Sequence, residues 1–462
     1  MKKLIWLAIA AAGGLALLAA QDARITIVGG TKPNIAIPDF RGDGQAQPLM
    51  GVFNQTLWGD VEGSGLFKMV PKTMYPTTVP QQPSDFRTPP PAPQQGRARG
   101  GQQMSVPQTG GGLWMSDWSG PPASANYFAM GYTAVQNGAF VLRAWFFDLS
   151  RDTPAAAQVI GKLYTGSVDE TGARKTAHEF AADILALFGG KSLFGTYIYF
   201  VSNRTGHKEI WAMDPDGRNQ RQLTRFNSTS IEPAVSPDGS KIAFTSYARG
   251  TPGIFMFSVD PVRDLHFYNQ AASVNETPAF TPDGKQILYA SSAGGRCCRI
   301  FLANLDGSGF RPITSSSFID VEPKVNPKTG GEIAFVSGRS GPQQIYRMNM
   351  DGADIERLSD GTGEASNPCW HPDGHILAFS WTRGFATGNW NLFIMDVASH
   401  KYDQLTHGEG RNEHPSWAPD GMHLAFDSTR TGRSQIYTML SDGTQVQPLT
   451  ALGENWTPVW GK

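Results

Sequence analysis

Short apolar and alternating runs, closed by Pro, Gly or Asp-Gly, fill the second half of this chain and predict β-strands joined by tight turns. The runs recur behind a fixed heading. It reads Pro233-Ala-Val-Ser-Pro237-Asp-Gly, Pro278-Ala-Phe-Thr-Pro282-Asp-Gly, Pro368-Cys-Trp-His-Pro372-Asp-Gly and Pro415-Ser-Trp-Ala-Pro419-Asp-Gly, with a weakened copy at Pro323-Lys-Val-Asn-Pro327-Lys-Thr-Gly. The second prolines stand at 237, 282, 327, 372 and 419, so the steps are 45, 45, 45 and 47. A period of this size marks stacked supersecondary units that bury apolar faces against each other.

One unit can be read strand by strand. Pro233 to Ser236 is a short first strand, and Pro237-Asp238-Gly239 is a turn in which Pro presets φ and Gly accepts a positive φ. Lys241 to Ser246 and Gly253 to Ser258 are β-branched and aromatic strands separated by a loop carrying Arg249. Asp-Gly pairs at 216, 306, 351 and 442 then predict hairpins into a short fourth strand, such as Arg221 to Thr224 or Gln447 to Thr450. Four antiparallel strands per unit is a propeller blade. The first unit, from Tyr197 to Thr224, lacks a first strand, whereas Thr457 to Trp460 is a first strand with no blade after it. Pairing these halves gives six blades over 197–462 and removes the open sheet edges.

The first half mixes periods. Asn34 to Pro38 is a short β-like run, as is Arg24 to Val28. Apolar residues at 49, 50, 53, 57 and 61 form a helical stripe, and Ala173 to Phe188 is an amphipathic helix with Ala177, Phe180, Ile184, Leu187 and Phe188 on one side. Leu66 to Val70, Tyr127 to Val135, Ala139 to Leu149 and Gln158 to Tyr164 read as strands, the middle two around an Asn137-Gly138 turn. The expected fold is a small α/β domain over 21–190 followed by the propeller. A stretch rich in Pro, Gln and Gly, about 86–112, is too poor in apolar residues to order itself and reads as a disordered, partly polyproline surface loop, with a polyproline-recognition ligand as the alternative.

Lys2 and Lys3 followed by the apolar run Leu4 to Leu18 predict a cleaved export signal over 1–20, against an uncleaved anchor. No Cys follows the run, so a lipid-modified start is not expected. The net charge of −1 gives no field favouring nucleic acid. Cys297, Cys298 and Cys369 do not make a disulfide framework. The adjacent pair reads either as ordinary blade residues or as a vicinal bridge, and Cys369 as small packing.

No Gly-x-Ser-x-Gly elbow and no paired-His metal spacing stands in the chain, so neither a hydrolase site nor a cofactor or metal is expected. Asp214-Pro-Asp216-Gly217 is a hairpin turn before it is a calcium loop. Two recurrent polar sets remain. Glu232, Glu276, Glu322 and Glu413 precede first strands, and Arg204, Arg249, Arg296, Arg339, Arg383 and Arg430 lie in loops between second and third strands. Both loop types open on one propeller face. The sets can pair with each other to fix the blades, and part of the acidic set can also face a partner.

The segments Asn34-Ile-Ala-Ile-Pro38-Asp39-Phe40, Ser64-Gly65-Leu66-Phe67-Lys68 and His178 to Phe194, read as a helix leading into Tyr197-Ile-Tyr-Phe-Val-Ser202, precede the repeat in that order. In this the chain resembles the TolB family of the Tol-Pal envelope system from Ala23 to Lys462. The resemblance implies a periplasmic, monomeric, non-enzymatic protein that supports outer-membrane integrity and cell division. It implies binding of the lipoprotein Pal at the mouth of the propeller channel, contact with TolA through Ala23 to Gly30 (Ala23, Arg24, Ile25, Thr26, Ile27 and Val28 among them), and room for other envelope partners. By motif position the mouth candidates are Glu232, Glu276, Glu322, Asn367, His414 and Asn455, with Trp456 beside them as an aromatic anchor. Departures are the Pro-rich insertion, Lys328-Thr329 in place of an Asp-Gly turn, and Asp260-Pro-Val-Arg-Asp264 in the second blade. The rival readings are an exported propeller enzyme or enzyme accessory domain with a channel-mouth site, and a generic propeller sensor.

Overall fold

The computed structural model describes residues 32–87, 111–259, 262–268, 274–295 and 298–462. The export signal, the Ala23 to Gly30 segment, residues 88–110, Asp260, Arg296 and Cys297 lie outside them. The chain divides into two compact units, one ending at Ser192 and one beginning at Leu193.

In the first unit Asn34–Ala36 lies between Lys68–Met69 and Tyr127–Gln136, parallel to both. Tyr127–Gln136, Ala139–Asp148 and Gln158–Gly166 then follow as an antiparallel meander. The hairpin turns at Asn137 (φ 51°) and Gly138 (φ 75°), the paired positive φ that an Asn-Gly hairpin takes. Helices Met50–Gly63 and Glu170–Leu187 bury Phe53, Leu57, Val61, Ala177, Phe180 and Ile184 against one face of this sheet. Asp169 caps the second helix, its carboxylate accepting the N–H of Gly172 at 2.8 Å.

Two expectations are corrected here, and two elements are added to them. The second helix ends at Leu187, because Phe188 leaves it to pack edge-on against Phe67, and Leu187 itself is exposed. The strand pair Arg41–Gly42 and the short helix Met115–Ser119 carry no periodic signal of their own. The described flanks of the Pro-rich stretch are packed, with Phe86 and Trp118 buried on the second face of the sheet and Arg87 N–H bonded to Leu113 O at 2.8 Å.

The second unit is six four-stranded antiparallel sheets, numbered here as blades 1 to 6. Blade 1 takes its first strand, Asn455–Gly461, from the end of the chain and its other three from Tyr197–Ser202, Glu209–Met213 and Arg221–Gln222. The first strands of blades 2 to 6 are Ser230–Val235, Asn275–Phe280, Asp320–Val325, Ala365–Trp370 and Asn412–Trp417. Each first strand contacts those of both neighbours around a closed ring, so the first strands surround the central channel. Apolar second and third strands, such as Lys241–Ser246 against Gly253–Val259, pack between blades. In blade 4 the missing Asp-Gly is replaced by Asn326, whose Oδ1 accepts the N–H groups of Lys328 and Thr329 and whose Nδ2 donates to Gly374 O of blade 5. Asp214 to Arg218 is a closed hairpin turn. Cys369 is a free thiol, whereas Cys298 is buried and disulfide-bonded, which corrects its reading as an ordinary blade residue.

Candidate functional site at the channel mouth

All six first strands break register at the same place. The break falls between Ile231 and Ala234, Glu276 and Ala279, Val321 and Lys324, Ser366 and Cys369, Glu413 and Ser416, and Trp456 and Val459. The residue before each proline takes a left-handed conformation: Glu232 (φ 55°), Thr277 (54°), Glu322 (53°), Asn367 (55°), His414 (51°) and Thr457 (51°). Proline offers no N–H to the ladder and keeps its predecessor out of the right-handed helical region, so the strand bulges there. Two of the six are β-branched, for which positive φ is strained. Such strain collects where a rigid scaffold holds a site.

In four of the six first strands the bulge residue donates its backbone N–H to a side chain of the preceding blade. Thr277 N–H donates to Glu232 Oε2 at 2.9 Å, Glu322 N–H to Thr277 Oγ1 at 3.2 Å, and Asn367 N–H to Glu322 Oε2 at 2.6 Å. A hydrogen-bonded arc therefore spans blades 2 to 5. Thr245 Oγ1 also donates to Glu232 (2.8 Å), and Ser366 Oγ to Glu322 (3.1 Å). Across the mouth, Asp427 Oδ1 accepts Thr457 N–H at 3.0 Å and pairs with His414 Nδ1 at 2.7 Å.

These groups perturb one another. Burial pushes the Glu232 carboxyl up, against the donors from Thr245 and Thr277. Glu276 is pushed up to about 7, first by burial and then by the charges of Glu232 and Glu322. Glu413 is raised by burial, although Arg411 pairs with it at 2.7 Å. Burial would lower His414, but Asp427, Glu413 and Glu322 outweigh it and lift the imidazole to about 9, so it is a cation at neutral pH.

The structure sorts the expected site residues. Glu232, Glu322, Asn367 and His414 are equivalent bulge residues, and Glu276 and Trp456 stand one position earlier in their strands. All six are half-buried. The glutamates lie inside the first strands, not before them. Trp456 carries Lys208 Nζ over its ring at 4.3 Å. Asn455 is fully buried, and its carboxamide accepts from Arg204 Nη2 (2.9 Å) and donates to Gln435 Oε1 (2.8 Å), so it holds blades together.

Four of the arginines expected to pair with the glutamates, Arg204, Arg339, Arg383 and Arg430, have other partners. Arg339 reaches Asp320, and Arg204 and Arg430 reach Asn455 and Asn412, two residues before each bulge. Each guanidinium also lies over an aromatic ring of its own blade, at 4.5 Å for Trp211, 5.0 Å for Tyr346 and 4.9 Å for Tyr437. Arg383 pairs with Asp360. Sequence reasoning missed Thr277, Thr457 and Asp427. The first two stand in the column just before the repeat's first proline. Asp427 is a charge in a second strand, where other blades have Thr245, Ala290, Val336, Ser380 and Val201.

Around the ring the same face exposes apolar side chains: Tyr247 in a second-to-third-strand loop, Phe318 and Ile319 just before the first strand of blade 4, and Leu452 before that of blade 1. Among the described residues no cluster of His, Cys, Asp and Glu fits a metal ion, and no helix is long and apolar enough to cross a membrane.

A family model described as the TolB β-propeller domain matches residues 185–384 and 356–462. A protein named TolB homolog from Chlorobium luteolum is 36% identical over 227 residues, 49% of this chain and 50% of that protein. One of the same name from Chlorobium chlorochromatii is 34% identical over 214 residues, 46% of each. The chain thus aligns with about half the length of these curated relatives. The crystal structure of TolB from Acinetobacter baumannii superposes with a TM-score of 0.74 at 22% identity, over 94% of this chain and 97% of that one, which shows a shared fold of both units. With the family model covering more than half of its residues, the chain belongs to the TolB β-propeller family.

Proposed function

We propose that this protein is a non-enzymatic, periplasmic binding component of a Tol-Pal system, that the channel mouth holds the lipoprotein Pal, and that the segment Ala23 to Gly30 contacts TolA. On this reading it supports outer-membrane integrity and envelope constriction at division. The observation that carries it is the mouth itself. A rigid ring fixes Glu232, Glu276 and Glu322 in the first strands of blades 2 to 4 and Trp456 in that of blade 1, with exposed Tyr247, Phe318, Ile319 and Leu452 in loops of the same face. Polar and apolar side chains presented together on the loops and strand ends of a rigid ring suit protein recognition. Glu232, Glu322 and Asp427 accept N–H groups of the next blade and His414 is paired with Asp427, which suits binding better than turnover.

The test is calorimetric titration with purified Pal. Glu276→Lys combined with Trp456→Ala is expected to weaken binding by on the order of a hundredfold, since buried aromatic anchors and reversed charges each cost about 1–3 kcal/mol. Glu322 is not the residue to reverse, because it anchors Asn367 N–H. Asp442→Lys, in an exposed hairpin turn between third and fourth strands, is expected to change affinity less than about twofold. Equal loss from both changes, with both proteins folded, would place the partner elsewhere.

A further inference from the structure

We propose that the sector of the mouth face built by blades 6 and 1 docks an acidic segment of the protein partner, its carboxylates meeting Arg204 and Arg430 and an apolar side chain meeting Leu452. The inference rests on the mouth being the partner surface, and it adds the chemistry of the partner to that reading.

Arginine fills one position of the ring four times. Arg204, Arg339, Arg383 and Arg430 each stand two residues after the end of a second strand, at Ser202, Ser337, Trp381 and Ser428. Blade 4 neutralises its arginine with Asp320 at 3.0 Å, and blade 5 with Asp360 at 2.7 Å. Blades 1 and 6 do not. Arg204 donates to Ser202 Oγ, Gln220 Oε1 and Asn455 Oδ1, and Arg430 donates to Ser428 Oγ and Asn412 Oδ1. All these acceptors are neutral, and among the described residues neither guanidinium forms an ion pair. Burial works against both charges, offset in part at Arg430 by Glu409. A half-buried cation held by neutral groups keeps an uncompensated charge, and a guanidinium presents its N–H donors in a fork that fits a carboxylate. Nη1 of Arg430 takes part in none of these bonds.

The two blades are neighbours in the ring, so the uncompensated charge is concentrated. Exposed Lys208 and Arg433 stand in the same two loops as Arg204 and Arg430, and Lys208 carries its ammonium over the Trp456 ring. Beside the Arg411–Glu413 pair, the loops of this sector set these four cations against Glu409 and Glu454. Leu452, at 70% the most exposed large apolar side chain among the described residues, lies in the loop leading into the first strand of blade 1. A Cβ on its neighbour Gly453 would stand 2.9 Å from the Arg204 Cβ, so Leu452 and the arginine loop share one patch.

Glu232, Glu276 and Glu322 stand in blades 2 to 4, so the mouth has an acidic side and a basic side. Such a division fixes the direction in which a charged partner lies across it. The cations are accompanied by Leu452 and Trp456, which have no counterpart to meet on a phosphate backbone. Arg204 and Arg430 are half-buried among loops, which suits a protruding side chain better than a flat lipid surface.

Two measurements on the mature chain test this. The first is calorimetric titration with Pal at low and at high salt. Lys208→Glu with Arg433→Glu leaves the arginine latches intact and is expected to weaken binding about tenfold at low salt, and less at high salt. Lys285→Glu with Lys401→Glu makes the same change of net charge in exposed turns on the opposite face, and is expected to alter affinity less than about twofold. Equal loss from both pairs overturns the proposal, as does loss from neither. The second measurement needs no Pal. A short synthetic Glu/Leu peptide is expected to shift the Nε–H resonances of Arg204 and Arg430, and to stop doing so in Lys208→Glu with Arg433→Glu. Phosphatidylglycerol vesicles that bind this sector when the peptide does not would assign it to a lipid surface and overturn the proposal. If Pal does not bind at all, the partner assignment falls and the peptide decides alone: shifts confined to this sector uphold an acidic docking surface, and their absence overturns it.

Discussion

Deletion of residues 455–462 is expected to unfold the propeller, not merely to trim it. The strand Asn455–Gly461 pairs with Tyr197–Ser202 from Asn455 opposite Ser202 to Gly461 opposite Tyr197. Trp460 is buried among Ile198, Phe200, Met213, Ala425 and Ile436. Its indole N–H donates to Thr196 Oγ1 and its backbone N–H donates to Ser416 Oγ, each at 2.9 Å. Losing one such Trp costs about 3–5 kcal/mol. The deletion also strips Asn455 from the Arg204 guanidinium and Thr457 N–H from Asp427, each a lost hydrogen bond to a charged group at about 1–3 kcal/mol. Together these approach the whole stability of an ordinary domain, about 5–15 kcal/mol. Thermal melting followed by tryptophan fluorescence and far-ultraviolet circular dichroism is the check, with removal of Lys462 alone as the control. A melting curve unchanged by the longer deletion would sink the idea that this strand closes the ring.

The ring was legible because its signals are local and repeated. Pro, Asp and Gly at fixed spacing specify turns by their own φ preferences, and Tyr197 and Thr457 announce complementary halves of one blade. Lys241–Ser246 appears as a strand with the bounds that its composition predicts. The bulge was not legible. A residue before proline is expected to be extended, and nothing in Glu232, Thr277 or Thr457 signals a left-handed backbone; the closed ring of first strands imposes it. The arginine partners were misassigned for a related reason. The bulge displaces Glu322 toward the channel and leaves Asp320, two residues earlier, facing the loop that carries Arg339. In the first unit, Leu187 fits the helical stripe by spacing but falls at the end of the helix, where the core has already closed over Ile184.

The loop latch yields the second large effect. Asp320 is fully buried and accepts from Arg339 Nη2 at 3.0 Å and from Ser337 Oγ and Ser316 Oγ at 2.6 Å each. Asp320→Ala is expected to destabilise the propeller by about 3–5 kcal/mol, because removing one member of a buried pair strands the other charge and its hydroxyl donors. Asp320→Asn is expected to cost about 1 kcal/mol or less. The molecule itself supplies the comparison. At the same position blades 1 and 6 carry Asn455 and Asn412, and each uses its Oδ1 to accept from the corresponding arginine at 2.9 Å. An amide oxygen therefore serves this latch as well as a carboxylate does, and the geometry matters more than the charge. Chemical denaturation of both variants is the measurement. If Asn costs as much as Ala, the latch depends on the ion pair, and the equivalence of the three blades is wrong. If Ala costs as little as Asn, Arg339 has found another partner, and the loop is not held through Asp320.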